Sequence, residues 1–254
     1  MFSYLVLSLG GLLFGAMVYR SDGREREPWW MLVGAAVAGL LLIAGAFGLD
    51  RVIQAVLIDA GPELSLRLTK SLTSAPLQTA AKLAVPLFIL LIIRKYFNDP
   101  MEGLIYGSLA GLGAAFGESV WYGLIASMPE PATVLHAQGP SAIRFMLHTV
   151  WGGIAGYALG LVVMKKPCRW VLLQNVGLVL ALQVLWDVFL GFAPDGPETG
   201  WQRIVTAVVL GTSIIWYGLL TVQANKWSRS LHPPTSKQRL VGRIVKMLIT
   251  RRIR

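Results

Sequence analysis

Charged residues and cysteine are scarce in this sequence. Of its 254 residues, 14% are Asp, Glu, Lys or Arg and 55% are hydrophobic, whereas roughly a quarter of an ordinary soluble domain is charged. Cys168 is the single cysteine, so an intrachain disulfide and a cysteine-based metal cluster are both excluded. The composition therefore predicts a membrane protein without disulfides.

Acidic residues are outnumbered by basic ones, and the formal net charge is +10. A basic balance can indicate binding to nucleic acid. Here, however, the basic residues lie between apolar runs and in the C-terminal tail, where Lys and Arg orient membrane helices against anionic lipid. We therefore expect no nucleic-acid partner, and we expect the tail to contact anionic lipid.

Long apolar runs fill most of the chain. A helix needs about 20 mostly apolar residues to cross a bilayer, which predicts an all-α bundle of about seven transmembrane helices within residues 1–225. The segment 50–72 interrupts the pattern, since its charges oppose spanning while its apolar residues suit an interfacial or re-entrant position. The windows that approach spanning length are 2–19, 29–48, 75–93, 102–127, 143–164, 170–193 and 202–223.

The distribution of Lys and Arg predicts the orientation of these helices. Basic residues concentrate on alternate loops, at 94–95 and 165–169 among them, and throughout the tail 226–254. The loop near 129–131 on the other side has little positive charge. We expect a bacterial inner membrane, with the N-terminus outside and the C-terminus in the cytoplasm. The tail has the pattern of a basic amphipathic helix that lies on the cytoplasmic leaflet.

Polar and ionisable side chains occur inside the predicted spans, where each costs several kcal/mol unless it is paired and therefore suggests a function. Glu118 lies in the fourth span, and glycines at every fourth position let the fourth and fifth spans approach closely. Three other spans carry polar pairs four residues apart, which share one helix face: Gln78 and Lys82, Arg144 and His148, Gln183 and Asp187. The residues that we expect to converge in one polar site are Lys82, Glu118, His148 and Asp187.

Simple chemistry leaves alternatives open for each of these groups. Lys82 would suit an ion pair with Glu118. The imidazole of His148 would suit a hydrogen bond to a backbone carbonyl or to Asp187, or a bond to a metal ion. Ser119 could be a nucleophile with His148 as its base, but the surrounding sequence has no motif that supports this arrangement.

Several motifs follow one another in an order that resembles a known family. They are the segment 22–29 with Glu27-Pro28, the stretch from Ala75-Pro76 to Lys82, the glycine-rich run 101–113 that leads to Glu118 and Trp121-Tyr122, Arg144 and His148 with the glycines after them, and Leu185-Trp186-Asp187. Over about residues 20–192 this order resembles the PrsW family of intramembrane proteases, which are distant relatives of the CAAX-processing membrane proteases.

The resemblance implies a zinc-like divalent metal held by glutamates and histidines, but the chain departs from the family pattern at several positions, three of which fall on expected ionisable groups. Paired glutamates are expected at 78 and 79 and a histidine at 183, whereas this sequence has Gln78, Thr79 and Gln183. Hydrolysis with a metal needs about three protein ligands and a base that takes a proton from water. The remaining ligands would be Glu118, His148 and Asp187, which leaves no base unless Asp187 or Glu118 stays free of the metal.

The favoured interpretation is a PrsW-like protein that has lost metal-dependent peptide hydrolysis. It would keep a membrane-embedded cleft that binds a transmembrane segment of another protein. One alternative is an active protease with a metal held by Glu118, His148 and Asp187; the other is a small proton-coupled transporter, which the absence of an inverted repeat disfavours. The residues assigned to the former catalytic centre are Lys82, Glu118, His148 and Asp187, and those assigned to binding are Gln78, Thr79, Arg144 and Gln183.

Overall fold

The computed structural model describes residues 27–57, 63–126, 141–164, 169–191 and 200–231. Within these ranges the chain is helical almost throughout, which confirms the all-α prediction. The predicted first span, residues 2–19, and the tail after residue 231 lie outside the described ranges. The helices are α1 (Trp29–Leu57), α2 (Glu63–Ile92), α3 (Pro100–Ala126), α4 (Ser141–Val163), α5 (Arg169–Trp186) and α6 (Gly200–Leu231), with a 3₁₀ turn at Arg94–Tyr96 and a π turn at Asp187–Gly191.

Five helices in the described ranges are long and apolar enough to cross a membrane, and the protein is membrane-embedded. These helices agree with five of the predicted windows. The helix α3 covers a sixth window but is not among the five. The candidate spans are Trp29–Val56, Leu68–Ile92, Ile143–Val162, Trp170–Phe189 and Gly200–Leu231.

The helix α3 lies at the centre of the bundle, between α1 and α4, and it packs more extensively on α4 than on any other helix. Every residue from 100 to 115 is buried. Because this helix faces other helices and not lipid, it can carry polar residues such as Glu102, Ser108 and Glu118 in its interior.

Glycines allow α3 and α4 to approach until their backbones touch. A Cβ atom at Gly107 would overlap the carbonyl oxygen of Gly152, and a Cβ at Gly111 would overlap the carbonyl oxygen of His148. On the opposite side of α3, a Cβ at Gly113 would overlap the carbonyl oxygen of Ala36 in α1. Small residues of this kind are the usual basis of close helix packing in lipid, and here they bring the backbone of His148 against α3.

A capping box begins α3. The Asp99 carboxylate accepts hydrogen bonds from the backbone N–H groups of Met101, at 2.7 Å, and Glu102, at 3.0 Å. In return the Glu102 carboxylate accepts a bond from the backbone N–H of Asp99 at 3.1 Å. Pro100 occupies the first helical position, where a missing N–H group has no cost. The sequence Asp-Pro-Met-Glu therefore determines where the central helix begins.

The described parts of the segment 50–72 belong to two long helices, and residues 58–62 lie outside the described ranges; an interfacial or re-entrant position of the segment stays a prediction. Residues 50–57 continue α1, and residues from 63 onward begin α2. Gln54 donates a hydrogen bond to Asp50 Oδ2 at 2.6 Å, and Thr73 and Lys70 of α2 lie beside the same carboxylate, whose Oδ1 atom has no hydrogen-bond partner in the described part of the chain. The two helices are thus longer than their apolar windows, since neighbouring polar groups partly offset the burial of a charge that the sequence pattern counted against a helix.

Candidate functional site

The side-chain amide of one residue in α5, Gln183, contacts three side chains of α2. The Gln183 amide nitrogen donates to Gln78 Oε1 at 2.7 Å. Its oxygen accepts from Lys82 Nζ at 3.1 Å and from the Thr79 hydroxyl at 3.3 Å. All four side chains are buried. We call these four residues the amide cluster; every member was assigned to the site from the sequence, and the structure brings them into direct contact.

A second group of polar side chains joins α3 to α4. The His148 Nε2 atom lies 3.0 Å from Glu118 Oε2, and the Arg144 guanidinium lies 3.6 Å from Glu118 Oε1. Glu118 and His148 are buried, whereas the Arg144 side chain is 18% exposed. We call these three residues the carboxylate–imidazole cluster. Arg144 and His148 both reach Glu118 because they lie four positions apart on one face of α4.

Trp151 lies near a member of each cluster, a position that the sequence pattern did not predict. The Lys82 ammonium lies 5.5 Å from the centroid of its indole ring, and the His148 ring centroid lies 6.2 Å from that of the indole. The indole N–H donates to the Ser213 hydroxyl of α6 at 3.0 Å. The sequence contains one indication of this position, because Trp151 follows His148 by three residues and shares its helix face. A tryptophan within an apolar run is, however, usually interpreted as part of the apolar core.

Asp187 lies at the end of α5, where the helix changes to the π turn. The Ser74 hydroxyl of α2 lies 3.4 Å from Asp187 Oδ2. A π turn widens the backbone spacing and redirects the side chains that it carries, and such turns are frequent at functional sites. Because Ser74 and Asp187 each lie four positions from a member of the amide cluster, they extend that cluster by one helical turn.

The contacts differ from the pairings that the sequence suggested. Lys82 contacts Gln183 and not Glu118, and His148 contacts Glu118 and not Asp187 or a backbone carbonyl. The Ser119 hydroxyl donates to the carbonyl oxygen of Ala115 in its own helix at 2.9 Å, whereas the His148 Nε2 atom lies against Glu118. Lys82 is nevertheless close enough to interact electrostatically with Glu118, His148 and Asp187.

One ring nitrogen of the site has no partner. The Nδ1 atom of His148 is buried and makes no hydrogen bond within the described part of the chain. A buried polar atom in this state costs about 1–3 kcal/mol. Such atoms are rare in folded proteins and ask for an explanation. A ligand that offers a hydrogen-bond donor to this nitrogen would remove the cost.

The side chains do not fit the divalent metal that the resemblance implies. Across the described ranges no group of three or more His, Cys, Asp and Glu residues would hold a metal ion. Glu118 and His148 contact each other, Asp187 is turned towards Ser74, and the amides of Gln78 and Gln183 share a hydrogen bond. Amide groups are also weak substitutes for the anionic and imidazole ligands of a zinc-like ion.

The chain matches the sequence model of a known protein family. The model of the family described as PrsW family intramembrane metalloprotease matches residues 27–217, well over half of the chain. No curated protein and no solved structure matches the chain. The matched range includes both clusters, Trp151 and Asp187, and it extends beyond the resemblance seen in the motifs as far as Tyr217 in α6.

Proposed function

Because the chain belongs to the PrsW family of intramembrane metalloproteases, we propose that it is a member without peptide hydrolysis that binds a transmembrane segment of another protein in the polar site. The observation that carries this proposal is the amide cluster. At the three positions where the family pattern expects ionisable groups, Gln78, Thr79 and Gln183 are bonded to one another and to Lys82. None of the three can take a proton from water at neutral pH.

The charges of the site support the same proposal. The formal charges of Lys82 and Arg144 balance those of Glu118 and Asp187 without any further ion. Two glutamates at 78 and 79 would add two negative charges, which a divalent cation would balance. With neutral side chains there, a divalent ion would add two uncompensated positive charges to a buried site, and burying unpaired charge is strongly unfavourable.

A membrane-embedded ligand fits this site better than a water-soluble one. The clusters lie among the candidate spans, and most of their side chains are buried between helices. A transmembrane segment that is locally unwound presents backbone N–H and C=O groups, which need partners inside a bilayer. His148 Nδ1 would accept from such an N–H group, and the Lys82 ammonium would donate to such a carbonyl.

The decisive experiment compares how three forms of the protein bind and cleave a panel of single-span membrane substrates. These are the wild type, Glu118→Gln, and a restored variant that carries Gln78→Glu, Thr79→Glu and Gln183→His. The wild type should co-purify with at least one segment and leave every segment intact. A missing general base alone lowers a rate by about 10²–10⁴, so wild-type cleavage should fall below detection. Cleavage by the wild type that is absent in Glu118→Gln would refute the proposal.

Metal content gives an independent measurement on the same proteins. We expect the purified wild type to retain no stoichiometric zinc, and we expect the restored variant to bind zinc in a way that His148→Ala abolishes. Equal, stoichiometric zinc in the wild type and the restored variant would contradict the charge argument. Because this measurement does not depend on the choice of substrate, it separates lost chemistry from an unsuitable substrate panel.

A further inference from the structure

Four buried side-chain atoms in the described ranges make no hydrogen bond, and two of them belong to side chains that touch each other. Glu118 Oε2 lies 3.0 Å from the Nε2 atom of His148, but this contact does not have the geometry of a hydrogen bond. Because buried polar atoms almost always have a partner, two such atoms in one contact are the pattern expected where a ligand supplies the missing partners. The four atoms are Asp50 Oδ1, Glu118 Oε2, His148 Nδ1 and Tyr157 Oη.

The two neighbouring atoms, Glu118 Oε2 and His148 Nδ1, are both hydrogen-bond acceptors, and we call them the acceptor pair. An ionised carboxylate oxygen can only accept a hydrogen bond. The carboxylate beside Nε2 favours the tautomer of His148 that carries its proton on Nε2, which leaves a lone pair on Nδ1. The group that is missing from the acceptor pair is therefore a donor.

A single donor atom can reach both members of the acceptor pair. One carbon atom separates the two ring nitrogens of an imidazole, and Nε2 lies 3.0 Å from Glu118 Oε2. The separation between Nδ1 and the same oxygen is thus less than two hydrogen-bond lengths. A backbone amide has one N–H group and would leave one acceptor without a partner. The carboxamide of Asn or Gln has an NH₂ group, which can donate to both.

The charges around the acceptor pair favour a neutral donor. The formal charges of Lys82 and Arg144 already balance those of Glu118 and Asp187, so an ammonium or guanidinium group would bring unpaired charge into a buried site. Lys82 interacts electrostatically with Glu118 and His148 and would repel a second cation. A carboxamide supplies two N–H groups without this cost.

An entering carboxamide has to displace a neighbouring group, because both atoms of the acceptor pair are buried. Arg144 is the partly exposed member of the carboxylate–imidazole cluster, with 18% of its side chain exposed. Its contact with Glu118 Oε1 is 3.6 Å, which is longer than a hydrogen bond. Rearranging this contact therefore costs less than breaking a hydrogen bond inside the site.

We propose that the acceptor pair binds the side-chain carboxamide of an Asn or Gln residue within an otherwise apolar transmembrane segment. This inference rests on the proposed function, since it names the feature of the segment that the polar site recognises. The NH₂ nitrogen donates one hydrogen bond to Glu118 Oε2 and one to His148 Nδ1. The segment is stabilised as well, because a carboxamide among lipid chains has no partner.

The test measures the affinity of single-span peptides for the protein in lipid nanodiscs, by energy transfer between fluorescent labels. The peptides are apolar and differ only in their central residue, which is Leu, Ser, Asn or Lys. We expect the Asn peptide to bind about tenfold more tightly than the Leu peptide, because two hydrogen bonds within a membrane correspond to about this factor. The preference for Ser over Leu should be about threefold, and His148→Phe should reduce the preference for Asn to about threefold.

The control variant is Tyr157→Phe, which removes a buried hydroxyl that also makes no hydrogen bond in the described part of the chain. This hydroxyl lies outside the carboxylate–imidazole cluster, so the tenfold preference should remain. A second measurement, on the wild type, does not depend on the folding of His148→Phe. The ¹⁵N signal of His148 Nδ1 should shift when the Asn peptide binds and stay in place when the Leu peptide binds. The chain has three histidines, so substitutions of His136 and His232 assign this signal.

Three outcomes would overturn the recognition of a carboxamide while the proposed binding function stands. They are equal affinities of the Asn and Leu peptides, an unchanged preference for Asn in His148→Phe, and an Nδ1 signal that does not respond to the bound Asn peptide. Tighter binding of the Lys peptide than of the Asn peptide would replace the carboxamide by a cation. If no peptide binds, the proposed function fails and this inference fails with it.

Discussion

The stability of the buried part of the site depends most on Gln183, because its one amide group makes hydrogen bonds with three partners. A methionine at this position keeps the approximate volume but leaves the buried Lys82 ammonium without its acceptor. Removing one partner of a buried charge costs about 3 kcal/mol or more. We therefore expect Gln183→Met to lower the free energy of unfolding by about 3 kcal/mol, measured by denaturant titration of the purified protein in detergent.

Two further substitutions provide comparisons for the stability loss expected from Gln183→Met. Gln78→Met removes a neutral hydrogen bond and leaves Lys82 paired, so its effect should be about 0.6–1 kcal/mol. Gln223 is exposed on α6, and Gln223→Met should change the stability by less than about 0.5 kcal/mol. If Gln183→Met were no more destabilising than Gln78→Met, the proposed importance of Gln183 as the acceptor for Lys82 would be wrong.

The pairing of α3 with α4 depends on glycines that have no room for a side chain. Gly107→Ala forces a methyl group against the Gly152 carbonyl, and overpacking of this kind costs about 1–3 kcal/mol. Gly34→Ala in α1 meets nothing within 4 Å and should stabilise the protein by about 0.4–1 kcal/mol through helix propensity. Thermal unfolding in detergent would measure both. Equal effects would show that close backbone contact does not hold the two helices together.

The residue at which α3 begins depends on a local contact of Asp99. Asp99→Ala removes the acceptor of two backbone N–H groups at the helix N-terminus, and losing an N-cap costs about 0.5–2 kcal/mol. Asp99→Asn keeps an acceptor oxygen and should recover most of that stability. Hydrogen exchange of the first turn of α3 would localise the loss, and unchanged exchange in Asp99→Ala would argue against the capping box.

The orientation of the whole molecule in the membrane stays a prediction based on Lys and Arg. We expect Cys168 to face the cytoplasm, so a membrane-impermeant maleimide should label it only after the cells are permeabilised. A Gln138→Cys variant in a Cys168→Ser background provides the opposite case and should react in intact cells. Labelling of Cys168 in intact cells would reverse the topology and would place the basic tail outside.

The amino-acid sequence by itself determined the class of protein and which polar residues form the two clusters of the site. Apolar runs of spanning length and scarce charge specify a membrane helical bundle, because bilayer thickness and the cost of buried charge act on the sequence directly. The residues of both clusters were evident because polar groups are conspicuous within apolar runs. Glycines at every fourth position likewise indicated that α3 and α4 pack closely.

Only the tertiary structure decided which of these groups meet. Helix periodicity places Lys82, Glu118 and His148 on helix faces, but the partner of each face follows from how helices rotate and slide against one another. Lys82 therefore faces Gln183 and Trp151 and not Glu118. The same holds for Asp50, whose charge counted against a helix although Thr73 and Lys70 of the neighbouring helix lie beside it, and for α3, whose polar residues are tolerated because other helices surround it. Each of these results depends on contacts between residues that are distant in the sequence.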